Sequence, residues 1–153
     1  MDDNGLVVND FCITFSTING SGSATANLTL MRLLFKMGIP VSSKNIFPSN
    51  IQGMPTWYSL RLYKDRFMGR LEQDNIIVAM NPTTLHKEIQ YLAKGGVFLL
   101  PDDFKFEVDR DDVIVYRMPV KQLVMESGVP SSLKEYIANM VYVGVLCFLL
   151  GID

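Results

Sequence analysis

Bulky and small residues alternate from Phe11 to Thr17, the period-two pattern of a strand. Small residues, Asn19-Gly20-Ser21-Gly22-Ser23, interrupt it, and Ala24 to Met37 then carries Leu28, Met31, Leu34 and Phe35 at helical spacing. Gly38 stands where a left-handed helix cap belongs. Ile39 to Ser43 reads as a second strand, so this stretch predicts a strand–turn–helix–strand unit with its two strands paired in parallel. Residues 44–57 show no periodicity and hold Pro48, Gly53 and Pro55, which predicts a long loop.

The alternation resumes from Tyr58 to Tyr63. Lys64-Asp65-Arg66 reads as a turn, with Phe67 to Gly69 as an antiparallel return. Asn75 to Met80 is nearly all apolar, as in a strand buried on both faces. Asn81-Pro82 then opens a helix that runs to about Lys94 and stops at Gly95-Gly96. Val97 to Leu100 and Val113 to Met118 are further strands, separated by a charged, turn-like stretch over 102–112. A short helix from Lys121 to Glu126 ends at Gly128, and a last helix begins near Ser132, where Ser132-Leu133-Lys134-Glu135 has the form of a capping box. Strands and helices in this rhythm predict an α/β three-layer sandwich, Rossmann-like, with a mostly parallel but mixed sheet. The chain divides into an N-terminal tail over residues 1–9 and one domain over 10–153.

Composition narrows the chemistry. Over 153 residues the formal charge is −2, and no run of Lys or Arg appears, so a phosphate-backbone binder is excluded and no nucleic-acid partner is expected. Two cysteines, Cys12 and Cys147, and one histidine, His86, fall short of the ligand sets that iron–sulfur clusters and zinc sites draw on. Both cysteines lie in apolar runs and read as buried thiols. His86, beside Lys87 and Glu88, reads as part of a solvated helix face, and no metal site is expected. With no secretory signal at Met1-Asp2-Asp3-Asn4, a cytoplasmic location is expected. Ile137 to Ile152 is apolar except for Asn139, but shorter than the roughly 20 residues of a bilayer span, so it predicts a buried helix and no membrane. So apolar a helix at the chain's end predicts a covering partner, or further chain beyond Asp153.

Two segments could carry chemistry. A strand feeding a helix through Asn19-Gly20-Ser21-Gly22-Ser23 exposes backbone N–H groups at a helix N-terminus, where an anion is favoured. The glycine spacing fits neither the dinucleotide fingerprint nor the phosphate loop of nucleotide hydrolases, and a tight turn of small residues is the other reading. Ser43-Lys44-Asn45 ends a strand, where open α/β sheets bind ligands. Lys44 could meet a carboxylate or phosphate as a point charge, or be a solvated lysine. Asn45, Ser49, Asn50 and Gln52 could bond a ligand or their own loop. Trp57, the only tryptophan, reads as a packing anchor or interface residue. No nucleophile–base–orienter set is visible, so the chain does not look like an enzyme by itself.

The stretch from Asn19 to Ala24, with Gly38-Ile39-Pro40-Val41-Ser42-Ser43-Lys44-Asn45-Ile46-Phe47-Pro48-Ser49-Asn50-Ile51-Gln52-Gly53-Met54-Pro55-Thr56-Trp57, resembles the gamma domain of 2-oxoacid:ferredoxin oxidoreductases, above all the 2-oxoglutarate type in which gamma is fused ahead of an alpha domain. Val78 to Pro82, Gly95-Gly96-Val97 and Asn139 to Gly144 add to the likeness, which covers roughly Val8 to Asp153. The resemblance implies a component of a thiamine diphosphate-dependent complex that oxidatively decarboxylates a 2-oxoacid to an acyl-CoA. Thiamine diphosphate and the iron–sulfur clusters would be held by alpha and beta partners, electrons would leave to ferredoxin, and coenzyme A would accept the acyl group. It also implies cofactor-binding roles, toward coenzyme A phosphates or the substrate carboxylate, for Asn19, Gly20, Ser21, Gly22 and Ser23 and for Ser43, Lys44 and Asn45. No catalytic residue is implied, and the chain alone is expected to be inert. The alternative is a non-catalytic α/β module that docks subunits and holds no ligand of its own.

Overall fold

The computed structural model describes residues 9–48, 51–64, 69 and 71–152. Its centre is β1 (Phe11–Ile18), paired antiparallel with β3 (Pro55–Leu62) on one side and parallel with β4 (Asp74–Ala79) on the other. Outside β3 lies β2 (Val41–Ile46), antiparallel to it. Outside β4 come β5 (Leu92–Pro101) and then β6 (Ile114–Met118), both parallel. The single mixed sheet therefore has the order β2-β3-β1-β4-β5-β6.

The predicted α/β sandwich and mixed sheet are observed, but the first strand pair is not. β1 and β2 run the same way, yet β3 lies between them. Burial explains the order. β3 is buried along most of its length, whereas Ser43, Lys44 and Asn45 in β2 are exposed, so only β2 can form the solvent edge. Lys44 and Asn45 thus belong to a strand, and the irregular segment after them is shorter than predicted. Ser49 and Asn50, and Asp65, Arg66, Phe67 and Met68 of the turn and return read from the sequence, lie outside the described residues.

Alternation along the strands sends neighbouring side chains to opposite faces. Ile13, Phe15, Leu60, Val78 and Leu99 form one core with α1 (Ser23–Lys36), α3 (Val120–Glu126) and α4 (Lys134–Leu150). Ile77, Ala79, Phe98 and Leu100 form the other with α2 (Leu85–Tyr91) and Phe106. Fully burying a side chain such as Phe98 contributes about 1.5–3 kcal/mol, so each face has its own anchor. The charged stretch after β5 is a strap over the second core. Arg117 donates to the carbonyls of Phe104 and Phe106, and Arg110 holds Asp112 through two bonds of 2.8 Å while reaching the carbonyls of Ile89 and Leu92.

Several local expectations change. On α1 the buried stripe is Ser23, Ala26, Asn27, Leu30 and Leu34, while Phe35 is exposed. Gly38 does take the left-handed conformation, at φ 78°. The helix after Asn81-Pro82 stops at Tyr91, because Leu92 is extended and already pairs with Asp74. Gly95 and Gly96 lie inside β5, opposite a register shift in β4. A Cβ on Gly96 would come within 2.9 Å of the carbonyl oxygens of Ala93 and Asn75, so a close backbone approach requires that glycine. The capping box does not form: Ser131–Leu133 is a 3-10 turn, and no side chain caps α4.

The expectation of a buried last helix holds on one face only. Asn139, Tyr142, Val143 and Leu146 of α4 are buried, while Tyr136, Met140, Phe148 and Leu149 are exposed. By length and composition, Ser131–Leu150 could cross a membrane. Its inner face, however, is tied into the fold by polar contacts: Asn139 Nδ2 donates to the Ser21 carbonyl at 2.8 Å, and the Tyr142 hydroxyl to Asn27 Oδ1 at 2.8 Å. Cys12 is buried in β1, and Cys147 is half-buried on α4.

Candidate functional site

Beyond the carboxyl end of β1 the chain forks. From β1 it leaves through α1 on one face of the sheet towards β2, and from the neighbouring β4 it leaves through α2 on the other face towards β5. Such a switch point opens a crevice at the strand ends. The turn Asn19–Ser23 occupies it.

Gly20 and Gly22 have φ of 89° and 77°, conformations that residues with a Cβ rarely adopt. Side chains also crowd both positions. A Cβ on Gly22 would lie 2.6 Å from the Tyr136 ring of α4, and one on Gly20 would lie 2.9 Å from Cγ of Gln52. Gly22 caps α1 with no side-chain bond to the helix amides. Within the turn, Ser21 N–H donates to the Ile18 carbonyl, and the Thr17 and Ser23 hydroxyls are 2.9 Å apart. The segment after β2 is tied down by Asn19. Its N–H donates to the Met54 carbonyl, its carbonyl accepts from Gly53 N–H, and its side-chain amide donates to the Ile51 carbonyl.

Two clefts of about 310 Å³ flank this turn. One lies towards β2 and β3, where Asn19, Gly20, Gly22, Ser23 and Ala24 face Asn45, Trp57 and Tyr136. The other runs towards α4, between Gly20-Ser21, Gln52-Gly53 and Glu135-Asn139. The structure therefore brings together Asn19, Gly20, Ser21, Gly22, Ser23 and Asn45 among the residues singled out from sequence. Ser43 and Lys44 line neither cleft. Strand alternation explains Lys44: paired with Ser59, it shares a face with Ile46 and Trp57, whereas Asn45 pairs with Tyr58 on the α1 face. The described lining of both clefts holds no Lys or Arg, so any attraction for an anion there comes from backbone N–H groups at the start of α1.

On the opposite face, sequence reasoning missed a second group. Glu88 is 4% exposed rather than solvated, and it accepts a bond of 3.3 Å from the Trp57 indole N–H. Burial raises its pKa, partly opposed by the nearby Ser16 and Thr84 hydroxyls, Trp57 and Lys87. Asp74 is 2% exposed and accepts from the Thr14 hydroxyl at 2.8 Å. His86 itself is exposed, its ring edge-on to Phe106.

Fold and crevice together define an α/β module with ligand-sized clefts at a sheet switch point. Residues 12–153 match the profile of the pyruvate ferredoxin/flavodoxin oxidoreductase family, and the chain belongs to that family. Solved structures of similar fold include 2-oxoglutarate:ferredoxin oxidoreductase from Magnetococcus marinus with 2-oxoglutarate, coenzyme A and succinyl-CoA bound. The similarity has a TM-score of 0.76 at 22% identity and covers 92% of this chain but 24% of that one. A pyruvate oxidoreductase subunit from Thermotoga maritima matches with a TM-score of 0.68 at 19% identity, over 95% of this chain and 79% of that one. The gamma subunit of a keto/oxoacid ferredoxin oxidoreductase from Geobacter sulfurreducens matches with a TM-score of 0.72 at 17% identity, over 93% and 78%. The gamma-type resemblance read from the long-loop motif is thus met by family and by fold. A comparison with curated protein sequences finds no match.

Proposed function

We propose that this chain is the gamma component of a thiamine diphosphate-dependent 2-oxoacid:ferredoxin oxidoreductase, and that the glycine turn serves the coenzyme A side of the reaction. The observation that carries this reading is the family match across residues 12–153. The structure of 2-oxoglutarate:ferredoxin oxidoreductase with coenzyme A bound adds 2-oxoglutarate as the leading substrate.

The residues fit a phosphate or carboxylate group rather than a metal centre or a thiamine site. Glycine at 20 and 22 leaves the turn backbone bare, and, while Thr25 N–H already donates to the Gly22 carbonyl, the Ser23 and Ala24 N–H groups that open α1 can donate to an anion. Asn45 adds a side-chain amide on the same side. Coenzyme A supplies the thiol that accepts the acyl group. This chain's part is to hold the anionic end of that molecule, with Tyr136 and the Asn19-anchored loop as walls. Ser43 and Lys44 lie outside that contact and act, at most, through the field of the Lys44 charge. Two well-separated cysteines leave the clusters to the alpha and beta partners, which pass electrons to ferredoxin. The exposed apolar face of α4 is available to those partners. In this reading the complex works in the cytoplasm.

Reconstitution tests the reading. Partner subunits with this chain should reduce ferredoxin in a reaction that needs both a 2-oxoacid and coenzyme A, while the chain alone should do nothing. Hydrogen exchange on the assembled complex separates ligand contact from docking. Coenzyme A should slow exchange at residues 19–24. Protection confined to α4, and unchanged by coenzyme A, would favour the pure docking module, the reading that a cleft without lysine or arginine keeps in play.

A further inference from the structure

We propose that Tyr58 and Asn27 are ligand-binding residues, and that with the start of α1 they hold an oxyanion, a phosphate or a carboxylate, in the cleft towards β2 and β3. This rests on the reading of the glycine turn as an anion site and adds the side chains that complete it. The cleft has a volume of about 310 Å³, within the range of small-ligand sites. Its described lining holds no charged side chain, so what it offers is hydrogen bonds.

The donors outnumber the acceptors that the chain supplies. Tyr58 is 6% exposed and lines the cleft, and its hydroxyl is buried with no hydrogen-bond partner among the described residues. A buried hydroxyl left unpaired costs stability, and an oxygen of a ligand in the cleft relieves that cost. Asn27 is 1% exposed and lines the same cleft. The Tyr142 hydroxyl donates to its Oδ1 at 2.8 Å, which fixes the amide and leaves its NH2 end to donate. Thr17 and Ser23, both buried, bond to each other at 2.9 Å; one hydroxyl donates and the other keeps its own hydrogen.

Donors with no carboxylate beside them do not attract a cation. The positive end of α1, a helix of 14 residues, favours an anion over a neutral acceptor. Tyr58 and Asn27 add bonds rather than charge, so the attraction stays with the helix start and the two side chains set where the oxygens sit. Tyr58 comes from β3 and Asn27 from α1, so an oxyanion between them ties the sheet to the helix.

Thermal melting of the full chain is the readout. Trp57 lines both this cleft and another, of about 380 Å³, beneath α2 beside Glu88, so its emission does not report one alone. Tyr58→Phe removes the hydroxyl and keeps the ring beside Phe15. The free variant should melt about 2–4 °C above the wild-type chain, because an unpaired buried group is gone. Coenzyme A and 2-oxoglutarate, each at millimolar concentration, are then added separately, with sodium chloride of equal ionic strength as the control. At least one should raise the melting temperature of the wild-type chain, coenzyme A marking a phosphate and 2-oxoglutarate a carboxylate. The variant should bind that ligand about tenfold more weakly. Equal ligand shifts in variant and wild type would overturn the role of Tyr58 while leaving the turn as an anion site. No shift beyond the chloride control in the wild-type chain would overturn the oxyanion site, whereas the coenzyme A reading stands or falls on reconstitution. A free variant that melts below the wild type would overturn the proposal too, since the hydroxyl would then have a partner within the chain.

Discussion

The turn beyond β1 and the cleft beneath α2 lie on opposite faces of one sheet and offer opposite chemistry. The first is backbone. Its donors are amides, and the left-handed backbone at positions 20 and 22 favours glycine, with the Gln52 and Tyr136 side chains crowding both. The second is side chains, with a buried carboxyl on α2, another on β4 and an indole on β3 brought together by the sheet. A backbone site draws anions because unpaired N–H groups at a helix start are positive, and it keeps that preference at any pH. The buried Glu88 carboxyl, by contrast, changes its charge with pH. The contrast predicts which substitutions break one face and spare the other.

Gly22→Ala carries the largest expected effect. The new Cβ would have to take a left-handed conformation and would meet the Tyr136 ring at 2.6 Å, so the turn or the Tyr136 side chain must move. The strain is worth about 1–3 kcal/mol. Chemical denaturation should show that loss, and the reconstituted enzyme should lose its response to coenzyme A. A Gly22→Ala protein with unchanged coenzyme A kinetics would remove the turn from the site.

Tyr142→Phe comes next. Its hydroxyl donates to Asn27 Oδ1 in the dry layer between α1 and α4, and burial pushes its own pKa up. Removing it leaves a buried acceptor unpaired, at about 1–3 kcal/mol. This should appear as a uniform loss of stability, with residues 19–23 exchanging faster because α4 holds Ser21 through Asn139.

Glu88→Gln should stabilise the chain, and only at higher pH. The folded-state pKa of Glu88 lies above its ordinary value of 4.5. Between that value and the folded pKa the native state binds more protons than the unfolded one, so stability falls as pH rises through this window. The glutamine variant lacks this slope. Denaturation midpoints of the two proteins should diverge as pH rises from about 4 towards 8, with the variant the more stable at the upper end. Parallel curves would mean that Glu88 is solvated after all.

The same contrast explains what could be read from the sequence. Strand periodicity, Gly38 at the end of α1 and the glycine turn are local signals, and each was legible. The order of the strands was not, because the choice between β2 and β3 as neighbour of β1 depends on which strand is buried after assembly. Gly95-Gly96 has the form of a helix stop, yet serves a tight approach between β4 and β5 that only the sheet creates. Glu88 misled for a related reason. In sequence it follows His86 and Lys87 like one more surface charge, and nothing local shows that Trp57, 31 residues away, covers it. The apolar run from Asn75 to Met80 and the alternation from Phe11 to Thr17 gave the strands away, but not that Thr14 and Asp74 would meet across them.

Lys44 is where the two faces were confused, and it yields the smallest effect. By sequence it adjoins Asn45, so a cation near the glycine turn was a natural reading. In the sheet, Asn45 turns to the α1 side and Lys44 to the α2 side, exposed at the edge. Lys44→Ala should therefore shift stability by less than about 0.5 kcal/mol. The coenzyme A KM should rise at most two- to threefold at low salt, and that shift should vanish at about 0.5 M salt, since an exposed charge acting at a distance is screened. A rise in KM of tenfold or more that persisted at high salt would mean direct contact. The β2 edge would then have to turn over in the assembled enzyme to bring Lys44 to the face of the glycine turn.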